Sequence, residues 1–320
     1  MHPELSVVIL SYNQFAATTG PCLESLAGVA APDLEIIVVD NRSDEETRAL
    51  LRQAAGRDPR VRLQLNEVNR GYAGGNNDGV ALARAERIVL LNSDTRVLPD
   101  SLALLASGLA ASAKPVILGP VTNSAGNEQQ IFVRPGSAAE ILEQGERWCA
   151  HARDSSLATD QLSFFCVAMA RETYLALGGL DEGFGLGFYE DTDFCCRAAR
   201  QGIALRVLEG AFVYHRGSGS FRTMPAKTLE LLRKNRQRFR AKNGPVAQRH
   251  VREKNFAVLR GYLAEPAAAR AGLSWRYRFA NRLARARELR PNNVLKRLRY
   301  RWRLAQIRRA GGPGCQEKFA

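Results

Sequence analysis

The chain has 320 residues, of which 45% are hydrophobic, so it can bury the core of a globular protein. Its formal net charge is +14, but residues 1–224 carry 20 Lys and Arg against 27 Asp and Glu, whereas residues 225–320 carry 26 against 5. The basic C-terminal part suggests an anionic partner: a membrane surface, a phosphate-bearing substrate or a nucleic acid. Because no apolar stretch reaches the ~18–20 residues of a transmembrane helix and no signal peptide is recognisable, we expect an intracellular protein, soluble or peripheral to a membrane.

Apolar, β-branched segments alternate with helical patterns through the first part of the chain. The predicted strands cover residues 5–10, 35–39, 61–65 and 88–91. Continuous apolar strands that alternate with helices are typical of the α/β class, in which helices cover both faces of a mostly parallel sheet. Residues 122–160 show no clear pattern.

Polar residues follow each of these four strands. They form the clusters Ser11-Tyr12-Asn13, Asp40-Asn41, residues 69–77 and Asn92-Ser93-Asp94. Ligands of open α/β sheets bind beyond the carboxyl ends of the strands. Because all four clusters occupy such ends, we predict that they share one pocket.

Each cluster also has a plainer interpretation. Asn92, Ser93 and Asp94 are similar to a metal-binding D-x-D motif, but an Asx turn that leads into a helix has the same composition. Asp40 can accept the N–H of a pyrimidine base or can act as a loop or N-cap residue. The glycine-rich residues 69–77 can approach a ligand through their backbone, or they form a flexible turn before a short helix.

A glycine-rich stretch from Gly179 precedes three carboxylates, Glu190, Asp191 and Asp193, at the predicted start of a helix that ends near Gly202. The helix dipole and N-capping favour carboxylates at this position, so one of them can be purely structural. Three carboxylates after so many glycines indicate a functional site.

His215 is one of four histidines in the chain. It follows a short predicted strand and precedes a glycine- and serine-rich loop at residues 217–220. A lone histidine at such a position is more often a hydrogen-bonded structural residue than a ligand, so the residues alone leave its role open.

The pattern changes from Pro225 onward, and we divide the chain there into residues 1–224 and a basic helical region of residues 225–320. Apolar and aromatic residues recur in this region at helical spacing, with Lys and Arg on the other faces. They form two sets, Trp275, Phe279, Leu283 and Ala286, and Val294, Leu298, Trp302 and Ala305. Cationic amphipathic helices with aromatic anchors predict attachment to an anionic membrane surface. We expect the tail from Gly311 to be disordered.

The motifs together resemble the family 2 inverting glycosyltransferases with the GT-A fold, over about residues 5–220. The resemblance is carried by Ser11-Tyr12-Asn13, Asp40-Asn41, Asn69-Arg70-Gly71-Tyr72 with Asn76, Asn92-Ser93-Asp94, Gly178-Gly179-x-Asp181-Glu182, Tyr189-Glu190-Asp191-x-Asp193 and His215. Such motifs in this order are highly specific, and they imply a GT-A type, Rossmann-like sheet in residues 1–224. The Asn-Ser-Asp and Tyr-Glu-Asp-x-Asp forms look most like the bacterial rhamnosyltransferase-type branch, which builds cell-surface glycans.

The resemblance also implies residue roles. Asp191 corresponds to the catalytic base, Asp94 to the metal-binding acid, and His215 to a further metal ligand of some members. Glu190 and Asp193 would shape the acceptor pocket or cap the helix. The implied donor-binding residues are Ser11, Tyr12, Asn13, Asp40, Arg70, Asn76, Asn92 and Ser93. Because Asn92 replaces the usual first acid, one carboxylate and one histidine would hold the cation.

The implied activity is a single displacement that moves a sugar from a dTDP- or UDP-sugar to a hydroxyl group of a glycan or lipid-linked acceptor, with dTDP-rhamnose as one candidate donor. Mg²⁺ or Mn²⁺ is the implied cofactor. Acceptors in this family are often linked to lipid diphosphates, so we expect a cytoplasmic protein, peripheral at the inner face of the cell membrane. No specific nucleic-acid partner is expected.

Two other functions stay open. A sugar nucleotidyltransferase has the same nucleotide and metal requirements, but it needs a glycine-rich loop with Arg or Lys directly after the first strand, where this chain has Ser11-Tyr12-Asn13-Gln14. A nucleic-acid-binding protein could use the basic residues 225–320, but these carry no zinc-finger, KH or RRM signature.

Overall fold

One β-sheet with helices on both faces forms the N-terminal part of the protein, and further helices follow it. The computed structural model describes residues 3–29, 33–217, 225–245 and 249–312. Residues 218–220 of the predicted glycine- and serine-rich loop lie outside these ranges, as does the predicted disordered tail after its first two residues.

The strands within the described residues are β1 (Leu5–Ser11), β2 (Leu34–Asp40), β3 (Val61–Leu65), β4 (Arg87–Asn92), β5 (Thr95–Val97), β6 (Val116–Val121), β7 (Ser156–Thr159), β8 (Cys166–Ala170) and β9 (Ala204–His215). The helices are α1 (Thr19–Ala27), α2 (Glu45–Arg57), α3 (Gly71–Leu82), α4 (Ser101–Ala110), α5 (Ala138–Ala152), α6 (Arg171–Ala176), α7 (Glu190–Arg200), α8 (Pro225–Asn243), α9 (Val251–Leu263), α10 (Ala267–Ala271), α11 (Leu273–Glu288) and α12 (Val294–Ala310).

The strand order is β3-β2-β1-β4-β8-β6-β9-β5, and β7 also pairs with β9. The first four strands in this order are parallel to one another, and β6 and β9 are parallel to each other. Strands β8, β5 and β7 run antiparallel to their neighbours. The predicted α/β sheet is therefore confirmed, and the carboxyl ends of β1, β2, β4 and β9 lie at one edge.

Side chains of the central strands alternate between two hydrophobic cores. On β1, Val8 packs into the core on one face, whereas Val7 and Ile9 pack into the core on the other face. On β2, Ile37 and Val38 divide in the same way. A strand that is covered on both faces has apolar residues at successive positions. The strands β1 and β2 were predictable from the sequence for this reason.

The glycine-rich residues 69–77 do not form the predicted loop, because the helix α3 begins at Gly71. A Cβ at Gly75 would lie 2.2 Å from Leu10 Cδ1, and a Cβ at Gly79 would lie 2.2 Å from Val8 Cγ1. The prediction of a flexible turn was wrong because these glycines allow a close helix–strand approach.

Residues 122–160, for which the sequence showed no pattern, contain α5 and β7. Helix α5 begins with a capping box, in which Ser137 Oγ accepts from the Glu140 amide and the Glu140 carboxylate accepts from the Ser137 amide. The buried Trp148 on this helix donates from Nε1 to the Glu209 carbonyl on β9 at 2.7 Å. This segment therefore supports the sheet.

The C-terminal helices have their own hydrophobic core, which corrects one prediction. Trp275, Phe279, Leu283 and Ala286 on α11 are all buried in this core. They pack with residues of α9 and α12 and are not anchors for a membrane. The described part of the chain contains no helix that is both long and apolar enough to cross a bilayer.

A buried ion pair links this helical region to the sheet. Arg282 Nη2 on α11 lies 2.7 Å from Glu209 Oε1 on β9, and neither side chain is accessible to solvent. The Tyr262 hydroxyl donates to the same oxygen at 2.5 Å, and the Ser155 hydroxyl donates to Glu209 Oε2 at 2.6 Å. Residues on both sides of the predicted boundary at residue 225 thus share buried contacts, and the division into two domains stays a prediction.

We predict that Arg282→Met lowers the free energy of unfolding by about 3–5 kcal/mol, because it removes the nearer of the two arginines beside the buried Glu209 charge and leaves only Arg278, at 3.7 Å. Urea unfolding followed by circular dichroism measures this loss. Arg287→Met, at an exposed position of the same helix, is the matched control and should change little. The double change Glu209→Gln with Arg282→Met should recover most of the loss. Equal effects of the two arginine substitutions would contradict this role of the ion pair.

Candidate active site

The carboxyl-end edge of the sheet brings Asp94 and His215 together. Asp94 lies in the turn between β4 and β5, and β5 turns back to pair with the end of β9, where Thr95 is opposite His215. Asp94 Oδ1 lies 3.4 Å from His215 Nε2, and both side chains are largely buried. Two of the predicted site residues are therefore neighbours.

The imidazole of His215 has a defined orientation. Its Nδ1 lies 2.9 Å from the Ser124 carbonyl, so in the neutral ring Nδ1 carries the proton and the Nε2 lone pair faces Asp94. Phe165 stacks on the ring with centroids 5.2 Å apart. Burial opposes the charged ring, but the hydrogen bond and the negative charge of Asp94 outweigh it and raise the pKa of His215.

The side chains of Asp94 and His215 are chemically suited to bind a divalent cation. A carboxylate oxygen and an imidazole nitrogen fixed by a carbonyl are suitable ligands for such an ion. Within the described ranges, no cluster of three or more His, Cys, Asp or Glu is arranged to hold a metal ion. Two protein ligands leave the other coordination positions to water and to the phosphate oxygens of a substrate, as is usual for Mg²⁺.

The loop at residues 181–189, here called the acidic loop, precedes the predicted carboxylates and is strained. Phe188 and Tyr189 have φ of 72° and 77°, in the left-handed region, which costs a non-glycine residue about 1–3 kcal/mol. The next two residues, Glu190 and Asp191, are the first residues of α7. The strain therefore lies directly beside the acidic side chains.

Asn235 on α8 holds this loop. Its buried Nδ2 donates to the carbonyls of Phe184, Gly187 and Phe188 at 2.7, 2.7 and 3.1 Å. Phe239, one turn further along α8, packs on Tyr189 with ring centroids 5.5 Å apart. These contacts compensate for the unfavourable backbone of the loop.

Asp193 is bound on all sides by protein donors. Arg197 Nε and Lys242 Nζ each lie 2.8 Å from Asp193 Oδ2, and Asn243 Nδ2 donates to Oδ1 at 2.9 Å. Lys242 also lies 2.8 Å from Asp181 in the acidic loop. Burial raises the pKa of Asp193, but these donors outweigh burial and lower it. Asp193 therefore anchors α8 to α7, a role different from the two predicted for it, acceptor shaping and helix capping.

Glu190 and Asp191 have the opposite environment. Glu190 is buried, and its Oε2 has no hydrogen-bond partner within the described structure. Burial and the neighbouring Asp191 charge raise the pKa of Glu190 to about 8. Burial also raises the pKa of Asp191, although its Oδ1 accepts from the amide and the hydroxyl of Thr192 at 2.6 and 3.1 Å. Burial therefore keeps a proton on these two adjacent acids to a higher pH than exposed carboxyl groups would allow.

Tyr72 on α3 lies among the acids from both parts of the site. Burial, and then the charges of Glu190, Asp191, Tyr174 and Asp94, raise the pKa of Tyr72 well above its usual value. Its amide donates to the Leu186 carbonyl of the acidic loop at 3.2 Å, and its hydroxyl donates to the Phe164 carbonyl at 2.6 Å. The acids of α7 and Asp94 therefore all act electrostatically on the Tyr72 hydroxyl.

The start of α3 touches the acidic loop very closely. Gly71 has φ of 69°, and a Cβ there would lie 2.0 Å from the Gly185 carbonyl oxygen. Only glycine allows both the backbone conformation and the contact.

The loops after β1 and β2 are connected to each other. Asn13 has a left-handed backbone, its amide donates to Ser43 Oγ at 2.8 Å, and its Oδ1 accepts from the Asp44 amide at 2.9 Å. Ser11 is buried with its hydroxyl 2.8 Å from Thr19 Oγ1, whereas Tyr12 is exposed. This arrangement presents Tyr12 at the predicted donor side.

Asp40 is fully buried at the end of β2. Both of its oxygens accept from the Ser43 amide at 3.2 Å, and Arg48 Nε lies 2.9 Å from Oδ2. Asp40 thus closes the turn into α2, and its contact with a nucleotide base stays a prediction.

The remaining predicted donor-site residues are engaged in local contacts. Arg70 forms ion pairs with Glu182 of the acidic loop, at 2.9 Å, and with Asp78. Asn76 is buried within α3 and donates to the Tyr72 carbonyl at 2.8 Å.

Asn92 and Ser93 form the turn after β4. The Asn92 carbonyl accepts from Thr95 Oγ1 at 2.6 Å, and the turn leads into β5 and not into the helix of the Asx-turn alternative, while Asp94 faces His215. A pocket of about 260 Å³ opens beside this turn, and Asp94, Tyr214 and Arg216 contribute to its wall.

Sequence reasoning missed Tyr72, Asn235 and Lys242. Tyr72 lies in a segment that was interpreted as a loop, so the sequence did not indicate that it would lie on a helix beside the acids. Asn235 and Lys242 lie in a helix that is marked in the sequence only by its basic character. A polar residue one or two turns from an aromatic residue on such a helix is too common to indicate a contact with a distant loop.

Comparison with known proteins identifies the family of this chain. The family model for glycosyl transferase family 2 matches residues 6–169. The chain is 40% identical, over 100 aligned residues, to the succinoglycan biosynthesis protein ExoO of Rhizobium meliloti. The aligned region covers 31% of this chain and 28% of that protein. The chain is also 29% identical, over 104 aligned residues, to the GalNAc(5)-diNAcBac-PP-undecaprenol beta-1,3-glucosyltransferase of Campylobacter jejuni. This aligned region covers 32% of this chain and 33% of the relative. The chain thus matches about a third or less of the length of these relatives.

A solved structure with a similar fold is the mannosyltransferase PcManGT from Pyrobaculum calidifontis, in complex with GDP-Man and Mn²⁺. The similarity covers 99% of this chain and 88% of that protein, with a TM-score of 0.54 and 18% sequence identity. This likeness confirms the GT-A architecture.

We predict that Asn235→Ala loosens the acidic loop, because it leaves three loop carbonyls without their donor. The free energy of unfolding should fall by about 1–3 kcal/mol, and amide exchange at residues 184–189 should become faster. Hydrogen exchange detected by mass spectrometry measures the second effect. Arg236→Ala, at the next and exposed position, is the matched control. Unchanged exchange in Asn235→Ala would show that the loop does not depend on this side chain.

We predict that Glu190→Gln changes how stability depends on pH. An exposed glutamate carboxyl has a pKa of about 4.5, whereas the pKa of Glu190 in the fold is about 8. Between these values the unfolded chain binds fewer protons, so wild-type stability falls as pH rises. The substitution removes this pH dependence. Between about pH 5.5 and about pH 8.5, the free energy of unfolding of the variant should therefore rise by at least about 1 kcal/mol relative to that of the wild type. Urea unfolding at several pH values measures the difference. A pH-independent difference, like that expected for the exposed Glu172→Gln, would contradict the raised pKa.

Proposed function

The chain belongs to glycosyl transferase family 2, and we propose that it transfers a sugar from a nucleoside-diphosphate sugar to a hydroxyl group with inversion at the anomeric carbon. The observation that supports this most is the 3.4 Å contact between Asp94 Oδ1 and His215 Nε2 at the carboxyl-end edge of the sheet, which joins two of the residues that the family motifs imply. An inverting displacement needs a base at the acceptor hydroxyl and neutralisation of the departing diphosphate. Asp191 and the Asp94–His215 pair supply these two requirements.

Asp191 is the proposed base. It takes the proton of the acceptor hydroxyl as that oxygen bonds to the anomeric carbon and the bond from this carbon to the diphosphate oxygen breaks. The hydrogen bonds from Thr192 go to Oδ1, so we assign Oδ2 to the acceptor hydroxyl. Its raised pKa makes Asp191 a better proton acceptor than an exposed aspartate. Glu190, whose pKa burial also raises, can donate a hydrogen bond in its protonated form.

A divalent cation, Mg²⁺ or Mn²⁺, is the proposed cofactor, with Asp94 and His215 as its protein ligands. When bound, it would neutralise charge on the diphosphate leaving group. The fixed Nδ1 contact of His215 keeps Nε2 directed toward the ion. The chemistry of this donor pair and the Mn²⁺ in the similar mannosyltransferase structure support the assignment.

We assign the nucleotide to the strand-end residues Ser11, Tyr12, Asn13 and Asp40, with Arg70, Asn76, Asn92 and Ser93 near the donor. A carboxylate has about four acceptor positions, and Asp40 uses them partly for Ser43 and Arg48, so one N–H of uracil or thymine is a chemically suitable further partner. The proposed donor is therefore a UDP- or dTDP-sugar. The rhamnosyltransferase-like motifs make dTDP-rhamnose a candidate.

The proposed acceptor is a glycan or a lipid-linked sugar used in polysaccharide synthesis at the inner face of the cell membrane. The names of the relatives support this, since one acts in succinoglycan biosynthesis and the other is named for an undecaprenol-linked acceptor. Residues 1–224 would carry the transfer chemistry. Helix α8, which belongs to the C-terminal region of residues 225–320, would hold the acidic loop. Glu190 and Asp193 would support the acceptor side.

The test begins with thermal shifts for a panel of UDP-, dTDP- and GDP-sugars with Mn²⁺, repeated with excess EDTA. We expect one sugar nucleotide to stabilise the protein only when the cation is present. Asp191→Asn should then bind this donor normally but lose transfer to an acceptor by on the order of 100-fold or more. The exposed Glu172→Gln should keep both properties. Loss of donor binding in Asp191→Asn would remove this residue from the role of base, and full turnover in EDTA would exclude the cation.

A further inference from the structure

Helix α12 has two opposite apolar faces. Tyr300, Leu304 and Ile307 face inward and are buried against the other C-terminal helices. Successive residues of a helix are separated by about 100° around its axis, so the apolar residues of the other face lie roughly opposite. That outer face carries Val294, Leu295, Leu298 and Trp302, which are 67%, 72%, 57% and 64% exposed. These four residues are here called the outer stripe.

Cationic side chains flank the outer stripe. Helix α12 contains seven Lys and Arg and no Asp or Glu. By helical geometry, Arg301 and Arg308 lie along one side of the stripe, Arg299 lies along the other, and Arg309 lies in line with the stripe at its C-terminal end. All four of these residues are exposed.

The other basic helices lack this combination. On α11, the aromatic residues Trp275 and Phe279 are buried in the core. Among the α8 side chains that the structure describes, Leu229 is the single large hydrophobic one that is exposed, and Asn235 and Phe239 face the acidic loop. Only α12, within the described residues, therefore joins a contiguous exposed apolar stripe to flanking cations.

The chemistry of α12 distinguishes between possible occupants. A second copy of this helix would bring two strongly cationic surfaces together, which is unfavourable. A nucleic acid would contact the arginines but leave the leucines and Trp302 in water. An anionic lipid surface matches both features, because phosphates pair with the cations and the stripe enters the boundary between headgroups and acyl chains.

We propose that α12 binds an anionic lipid bilayer, with the outer stripe immersed in the headgroup region and the helix axis parallel to the membrane plane. Binding involves α12 and not α11, and it is independent of the proposed transfer activity because no catalytic group takes part. Trp302, an amphipathic aromatic side chain, lies at the depth that tryptophan prefers in interfaces.

Sedimentation with vesicles of phosphatidylcholine and phosphatidylglycerol tests the proposal on the full chain, without any sugar nucleotide. The double change Leu298→Ser and Trp302→Ser should weaken partition roughly tenfold or more, since it removes much of the apolar surface that enters the lipid. Both residues are exposed, so the fold should persist, and thermal unfolding checks this. Leu175→Ser removes an exposed leucine from α6 and should leave partition unchanged.

Tryptophan emission supplies a second measurement. The chain has three tryptophans, and Trp148 and Trp275 are buried, so a change in solvent exposure reports on Trp302. Anionic vesicles should shift the emission to shorter wavelength, and Trp302→Phe should abolish the shift while most of the partition remains.

The charge requirement is tested with Arg301→Gln and Arg308→Gln, which should weaken partition to anionic vesicles. Undiminished partition of the Leu298 and Trp302 double variant would overturn the proposal. So would tighter binding to RNA than to vesicles, if that binding depends on the arginines and not on the outer stripe.

Discussion

The contact between Asn235 and the acidic loop is the constraint on which the candidate site depends. One side-chain amide binds the carbonyls of Phe184, Gly187 and Phe188, directly before the turn that starts α7. Two consecutive non-glycine residues in the left-handed region persist only where surrounding contacts compensate for their cost. Asp191 is the second residue of the helix that follows, so its position depends on a helix outside the sheet.

The protein treats its buried carboxylates in two ways. Glu209 and Asp193 are surrounded by cations and neutral donors, and they hold the helical region against the sheet. Glu190 and Asp191 lie as close to the core but receive few donors, so burial raises both of their pKa values. Because the difference lies in the partners and not in the residue type, the same chemistry provides anchors in one place and a poised acid–base pair in another.

The parts of this structure that were predictable from sequence are those decided locally. Continuous apolar runs identified β1, β2 and β4, and an alternating pattern identified β3. The polar residues at the ends of these strands, together with the motifs of the acidic loop, identified Asp94, Asp191 and His215 as candidates. Periodicity also located α11 and α12, but it gave identical patterns for the buried Trp275 and the exposed Trp302. Which amphipathic face is covered depends on contacts between segments distant in sequence. For the same reason the Asn235 contact had no signal, and the glycines of α3 were interpreted as a turn because their tight packing on β1 was not visible.

The distance along the chain between the acidic loop and its holder has a consequence for synthesis. Asn235 follows the carbonyls that it binds by 47 to 51 residues. A ribosome releases every strand of the sheet and all of the acidic side chains before α8 emerges. A nascent chain that stops short of Asn235 therefore carries each proposed catalytic group but not the loop conformation that orders them. The proposed site can therefore take its final conformation only after α8 has been synthesised, when the non-local contact between Asn235 and the acidic loop forms next to the finished sheet.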